Sequence, residues 1–144
     1  MTVKLRIYDA IATTGVVPNS TTLAGMLNTG VGDVEAALGR LQGRRLLVME
    51  PGDPSRIRMA PPFSGIETPF RVRVKERSFF ANCVWDALGV AAALHEDADI
   101  VASDAHTLEP MTLEVRDATA FARGNCAIHF AVPAAKWWND VVYT

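Results

Sequence analysis

The stretch on which the fold turns is Phe79-Phe80-Ala81-Asn82-Cys83-Val84-Trp85-Asp86-Ala87-Leu88-Gly89-Val90-Ala91-Ala92-Ala93-Leu94. Alanine and leucine dominate it and Asp86 is its only charge, the pattern of a helix buried on most sides. The pattern predicts a helix from Phe79 to about Leu94, capped by Ser78 and bent at Gly89. Asp86 also interrupts the apolar run, which falls well short of the roughly 20 residues that span a bilayer, so nothing points to a membrane.

The residues around this helix read as strands. Phe70-Arg71-Val72-Arg73-Val74-Lys75 alternates apolar and basic side chains, the period of a strand with one wet face. Short strands are expected at Ile100 to Ser103, Met111 to Val115 and Cys126 to Val132, with a turn or helical piece at Ala134 to Trp138. Residues 66–144 therefore read as a small α+β domain.

Upstream the period changes. Ile7 and Ile11 mark an amphipathic helix from about Val3 to Thr13, which Gly15 stops. Asn19-Ser20-Thr21 supplies capping oxygens for a second helix carrying Leu23, Met26 and Leu27. Val34, Leu38 and Leu41 lie on one face of a third helix, from about Val31 to Leu41. Leu46 to Glu50 and Arg56 to Ala60 read as a hairpin around Pro51-Gly52-Asp53-Pro54-Ser55. Three helices and a hairpin make a winged helix-turn-helix over residues 1–62. Ala60-Pro61-Pro62-Phe63-Ser64-Gly65 forms the boundary loop.

Composition narrows the function classes. The chain has 144 residues, 49% hydrophobic and 21% charged, the composition of a globular protein with a packed core and not of a disordered one. Its net charge of -2 offers no global field for a polyanion. Residues 1–65 carry seven basic and five acidic side chains, and residues 66–144 seven and eleven, so the two halves differ in sign. Two cysteines, Cys83 and Cys126, are too few for a disulfide framework and read as reduced thiols of a cytoplasmic protein.

Chemistry concentrates at Cys83-Val84-Trp85-Asp86. Residues three apart on a helix share a face, so a thiol and a carboxyl are brought together. Among Phe79, Phe80, Trp85 and Leu88 the carboxyl is poorly solvated and can hold a proton near neutral pH. The helix dipole modestly favours the Cys83 thiolate, the form that binds soft metals. A buried structural cysteine beside a surface aspartate fits the same letters. Cys126 alternates with Ile128, Phe130 and Val132 and reads as core, His129 as a structural histidine on the opposite face. Asp104 and His106 are two potential metal ligands without a third. Trp137-Trp138 reads as a packing element or lid. No triad spacing and no phosphate-cradling glycine motif is present.

The second half resembles the organomercurial (alkylmercury) lyase family. The likeness rests on Phe80-Ala81-Asn82-Cys83-Val84-Trp85-Asp86-Ala87-Leu88-Gly89, on Met111-Thr112-Leu113-Glu114-Val115, and on His129-Phe130-Ala131-Val132-Pro133-Ala134 followed by Trp137-Trp138-Asn139-Asp140-Val141-Val142-Tyr143-Thr144. It covers about residues 65–144, and the winged-helix reading agrees with the helix-turn-helix lobe of such lyases. The resemblance implies protonolysis of a carbon–mercury bond, with a small organomercurial as substrate and hydrocarbon and Hg(II) as products. It makes Cys83 the thiolate that captures mercury and Asp86 the carboxyl that moves the proton and contacts the metal. No bound organic cofactor is implied.

The chain departs from the family pattern in two places. The family's second catalytic cysteine follows a segment like Asp140 to Thr144, and this sequence stops at Thr144; Cys126 does not match that position. The loop Ser103-Asp104-Ala105-His106-Thr107 lacks the family's structural cysteines. Two other functions therefore stand beside the lyase: a non-catalytic, thiol-dependent metal-binding or sensing protein, and a winged-helix DNA-binding regulator. Charge argues against the regulator, because Asp33 and Glu35 open the third helix and Arg40 is its only base, leaving Arg44, Arg45, Arg56 and Arg58 for a patch.

Overall fold

The computed structural model describes residues 2–141 and is an α+β protein. Val142, Tyr143 and Thr144, the end of the C-terminal pattern, lie outside the described residues.

Three helices come first, α1 (Val3–Thr14), α2 (Ser20–Leu27) and α3 (Val31–Gly43). Thr2 caps α1 and Gly15 ends it in a left-handed conformation with φ 78°. Asn19 caps α2 through a 2.8 Å bond from the Thr22 N–H. The expected apolar faces pack together, with Ile7, Ile11, Leu23, Val34 and Leu38 buried, whereas Met26 is exposed. A three-stranded antiparallel sheet follows in the order β1 (Val48–Glu50), β2 (Asp53–Ala60), β3 (Phe63–Ser64). The β1–β2 turn is tighter than the sequence suggests: Pro51-Gly52 suffices because Gly52 takes φ 77°, and β2 starts at Asp53.

Beyond β3 the chain meets Ile57 so closely that a Cβ on Gly65 would lie 1.9 Å from the Ile57 carbonyl oxygen. Glycine is the residue this crossing permits, and it delivers the chain into a second, five-stranded antiparallel sheet. Its members are β4 (Arg71–Val74), β5 (Arg77–Phe80), β6 (Ala98–Ser103), β7 (Pro110–Arg116) and β8 (Thr119–Ala122), in the order β5-β4-β6-β7-β8. Helix α4 (Val84–Leu94) follows β5 and lays Ala87, Val90 and Ala91 on β4 and β6.

Three expectations change here. Phe79 and Phe80 belong to β5, so α4 starts at Val84 and its cap is Cys83, while Ser78 is a strand residue. Cys126 to Val132 is not a strand. All four residues of β8 are already exposed, leaving no buried surface for a further strand, and the chain leaves the sheet through Gly124 at φ 77°. Helix α4 is continuous through Gly89, where a Cβ would lie 3.1 Å from Pro62; glycine serves close packing there instead of a bend.

Phe63 joins the two halves. It is 3% exposed, pairs in β3, bridges to Ala81, and packs against Tyr8 of α1 at 6.3 Å and Phe79 of β5 at 5.5 Å between ring centroids. The core thus runs from Ile7 and Leu38 through Phe63 to Val72, Phe79 and Val90. Among the described residues no helix is long and apolar enough to cross a membrane.

Candidate active site

The site is built at the N-terminus of α4. Cys83 has extended backbone angles, φ -153° and ψ 179°, so it is the cap of the helix and not part of its second turn. Its Sγ accepts the Asp86 N–H at 3.4 Å. Thiol and carboxyl therefore share one turn, as the three-residue spacing predicts, but through capping geometry. Both side chains are half-buried.

Burial sets the electrostatics. Desolvation pushes the Asp86 carboxyl above the usual carboxylate range, opposed in part by a hydrogen bond from Asn82. The Cys83 thiol is also raised, first by desolvation, against which the Asp86 N–H bond works, and then by the Asp86 charge. Loss of water thus works against the thiolate that the helix terminus is expected to favour. The carboxyl's aromatic setting also differs from expectation, since Trp85 is 52% exposed and turns outward.

Two polar neighbours were not legible as site residues. Asn82 Nδ2 donates to Asp86 Oδ2 at 2.8 Å and reaches the Phe63 carbonyl at 3.4 Å. Tyr8, on α1, donates its hydroxyl to the Pro61 carbonyl at 3.0 Å. That hydroxyl is raised by burial and then by the charge of Asp86, so α1 stands within electrostatic reach of the site. For Asn82 the available signal was an amide inside an apolar stretch, immediately before the cysteine. For Tyr8 there was none.

The other candidates are elsewhere. Cys126 is exposed in an irregular segment, with Sγ 3.8 Å from the carbonyl oxygens of Arg123 and Gly124, so its core assignment is corrected. His129 is exposed in the same segment. Asp104 Oδ1 accepts the N–H groups of His106 at 2.8 Å and Thr107 at 2.7 Å, which lowers its carboxyl and gives it a loop-turn role. Among the described residues no three of histidine, cysteine, aspartate and glutamate cluster as a metal site. Trp137, in a 3-10 helix over Ala134–Asn139, stacks on Phe130 at 5.4 Å, and Phe130 meets Trp85 edge-on at 5.8 Å. Trp138 lines a separate groove between α3 and the β1–β2 hairpin.

A capping thiol beside a carboxyl whose proton affinity is raised by burial can bind a soft metal and deliver a proton to what the metal carries. The alkylmercury lyase (MerB) family model matches residues 63–144. The crystal structure of the mercury-bound form of MerB2 is similar, with TM-score 0.64 and 25% identity, covering 83% of this chain and 56% of that one. The chain thus spans little more than half the length of that protein. No curated protein sequence matches it. The family match takes in β3, both halves of the Cys83–Asp86 turn and the whole second sheet, more than half of all residues, and on that ground the chain belongs to the alkylmercury lyase family.

Proposed function

We propose that the chain cleaves organomercurials by protonolysis, with Cys83 as mercury ligand and Asp86 as proton carrier. The observation that carries this reading is the Cys83–Asp86 turn, where a 3.4 Å contact joins the thiol to the residue bearing the carboxyl. In the first step the Cys83 S–H proton passes to the Asp86 carboxylate as sulfur bonds to mercury and mercury's anionic ligand leaves. In the second, the Asp86 O–H proton goes to the carbon. The electron pair of the carbon–mercury bond forms the new C–H bond, the hydrocarbon departs, and Hg(II) remains on Cys83 sulfur with the Asp86 carboxylate beside it. Two thiols from solution then take the metal away by ligand exchange. Raised affinity of the Asp86 carboxyl for a proton suits this relay, because the proton is held there until carbon needs it, while the raised thiol gives up its proton only as sulfur bonds to mercury. The test is release of benzene or methane from phenyl- or methylmercury, compared with Cys83→Ser.

The N-terminal residues 1–62 serve, in this reading, as a winged-helix scaffold supporting the α+β unit of residues 66–144. Three helices followed by the β1–β2 hairpin support that assignment. Acidic Asp33 in the first turn of α3 speaks against its use on DNA.

One observation favours a second reading, a thiol-dependent metal-binding or sensing protein without turnover. Cys126 sits in an exposed segment with local carbonyls as its contacts and does not join Cys83. Mass spectrometry then shows one mercury adduct, lost in Cys83→Ser and kept in Cys126→Ser, with no hydrocarbon released.

A further inference from the structure

The relay uses Cys83 and Asp86 and leaves the third polar side chain of the turn without a role. Asn82 precedes the cap, and its backbone is held between the Phe63–Ala81 bridge and the start of α4. The side chain spans both: Nδ2 donates to Asp86 Oδ2 at 2.8 Å and contacts the Phe63 carbonyl at 3.4 Å. Its own Oδ1 is buried without a partner among the described residues, a costly arrangement for an amide.

Asp86 is the third residue after the cap, where an acidic side chain ordinarily reaches back to the cap's backbone N–H. Here it does not. Among the described residues no bond runs from the Cys83 N–H to the Asp86 carboxyl and none to Asp86 Oδ1; the Asn82 amide takes Oδ2. We infer that Asn82 is a positioning residue, which draws the Asp86 carboxyl away from capping its own helix and leaves one oxygen free for proton transfer. The inference deepens the lyase reading and rests on it.

The experiment pairs Asn82→Leu, which keeps volume and loses the amide, with Asn82→Ala. Mercury capture by Cys83, read by mass spectrometry, reports that each variant is folded and is expected to match wild type. Hydrocarbon release from phenylmercury is expected to fall about 10- to 100-fold in kcat with little change in KM, the size typical of losing an orienting partner. Unchanged kcat in both variants overturns the inference. A second readout does not need turnover: one Asn82 side-chain N–H proton should resonate downfield in wild type and return to the free-amide position in Asp86→Ala. An Asn82 signal indifferent to Asp86→Ala overturns the pairing. A wild type that captures mercury without releasing hydrocarbon rejects the lyase reading alone, and the amide signal still decides the pairing.

Discussion

The backbone N–H of Asp86 donates to the sulfur of Cys83 at 3.4 Å, so the thiol caps the helix whose first turn carries the carboxyl. Sulfur is a weak acceptor, and a cap is ordinarily an oxygen of serine, threonine, aspartate or asparagine. Placing cysteine there gives up some capping strength and brings a thiol next to a carboxyl. The two groups are also coupled, since the Asp86 charge raises the Cys83 thiol.

That coupling predicts thiol reactivity. With burial as the first cause and the Asp86 charge adding to it, Cys83 titrates above the ordinary thiol value of about 8.5. Iodoacetamide labelling of Cys83, followed against pH by peptide mass spectrometry, should therefore reach its midpoint above that value. Asp86→Asn removes the charge and should lower the midpoint. Labelling at the ordinary value in both proteins contradicts the burial of the thiol.

Asp86 predicts a pH dependence of stability with a definite sign. Its folded pKa is raised, so the stability it contributes is complete below the unfolded value of about 3.9 and is lost as pH rises through the folded value. Above the folded value the ionised carboxyl thus opposes folding. Asp86→Asn should stabilise the protein there by no more than about 1 kcal/mol, given partial exposure and solvent screening. Urea unfolding at pH 7 and at acid pH checks this, with the gain expected to vanish below about pH 3.9.

Phe63 carries the junction between helices and site. Its ring packs between Tyr8 and Phe79, and its carbonyl meets Asn82. Phe63→Ala should cost about 3–5 kcal/mol in equilibrium unfolding, the usual range for emptying a buried aromatic position. A loss below 1 kcal/mol, about the scale of a surface change, would contradict its central place in the core.

Two glycines predict opposite signs. A Cβ at Gly65 meets the Ile57 carbonyl oxygen at 1.9 Å, whereas one at Gly25 in α2 meets nothing within 4 Å. Gly65→Ala should destabilise by about 1–3 kcal/mol or more through overpacking. Gly25→Ala should stabilise by up to about 1 kcal/mol through helix propensity. Thermal unfolding of the pair distinguishes them.

Much of this arrangement is legible in the amino-acid order. Asn19 and Gly15 punctuate the helices as their chemistry requires, and Val72 and Val74 alternate with Arg71 and Arg73 as a half-buried strand must. The start of α4 is not legible. Strand β5 ends in Phe79 and Phe80, whose apolar character runs on into the helix, and the β4–β5 turn uses Lys75 at φ 54° where glycine or asparagine would have announced it. The alternation of Cys126, Ile128 and Phe130 misleads because a strand needs a neighbour, and β8 is exposed throughout. Within the site, the Cys83–Asp86 pair follows from local spacing. The contribution of Asn82 and Tyr8 depends on Phe63 meeting Ala81 across the chain, which no local pattern encodes.

The most direct test of the proposed chemistry is benzene released from phenylmercury in the presence of excess small thiol, measured by gas chromatography for wild type, Cys83→Ser and Asp86→Asn. Wild type is predicted to turn over, Cys83→Ser to lose both mercury capture and benzene, and Asp86→Asn to capture mercury while releasing benzene at least about 100-fold more slowly, the scale of a lost general acid. Capture by wild type without any benzene, or equal release by wild type and Cys83→Ser, would contradict the account.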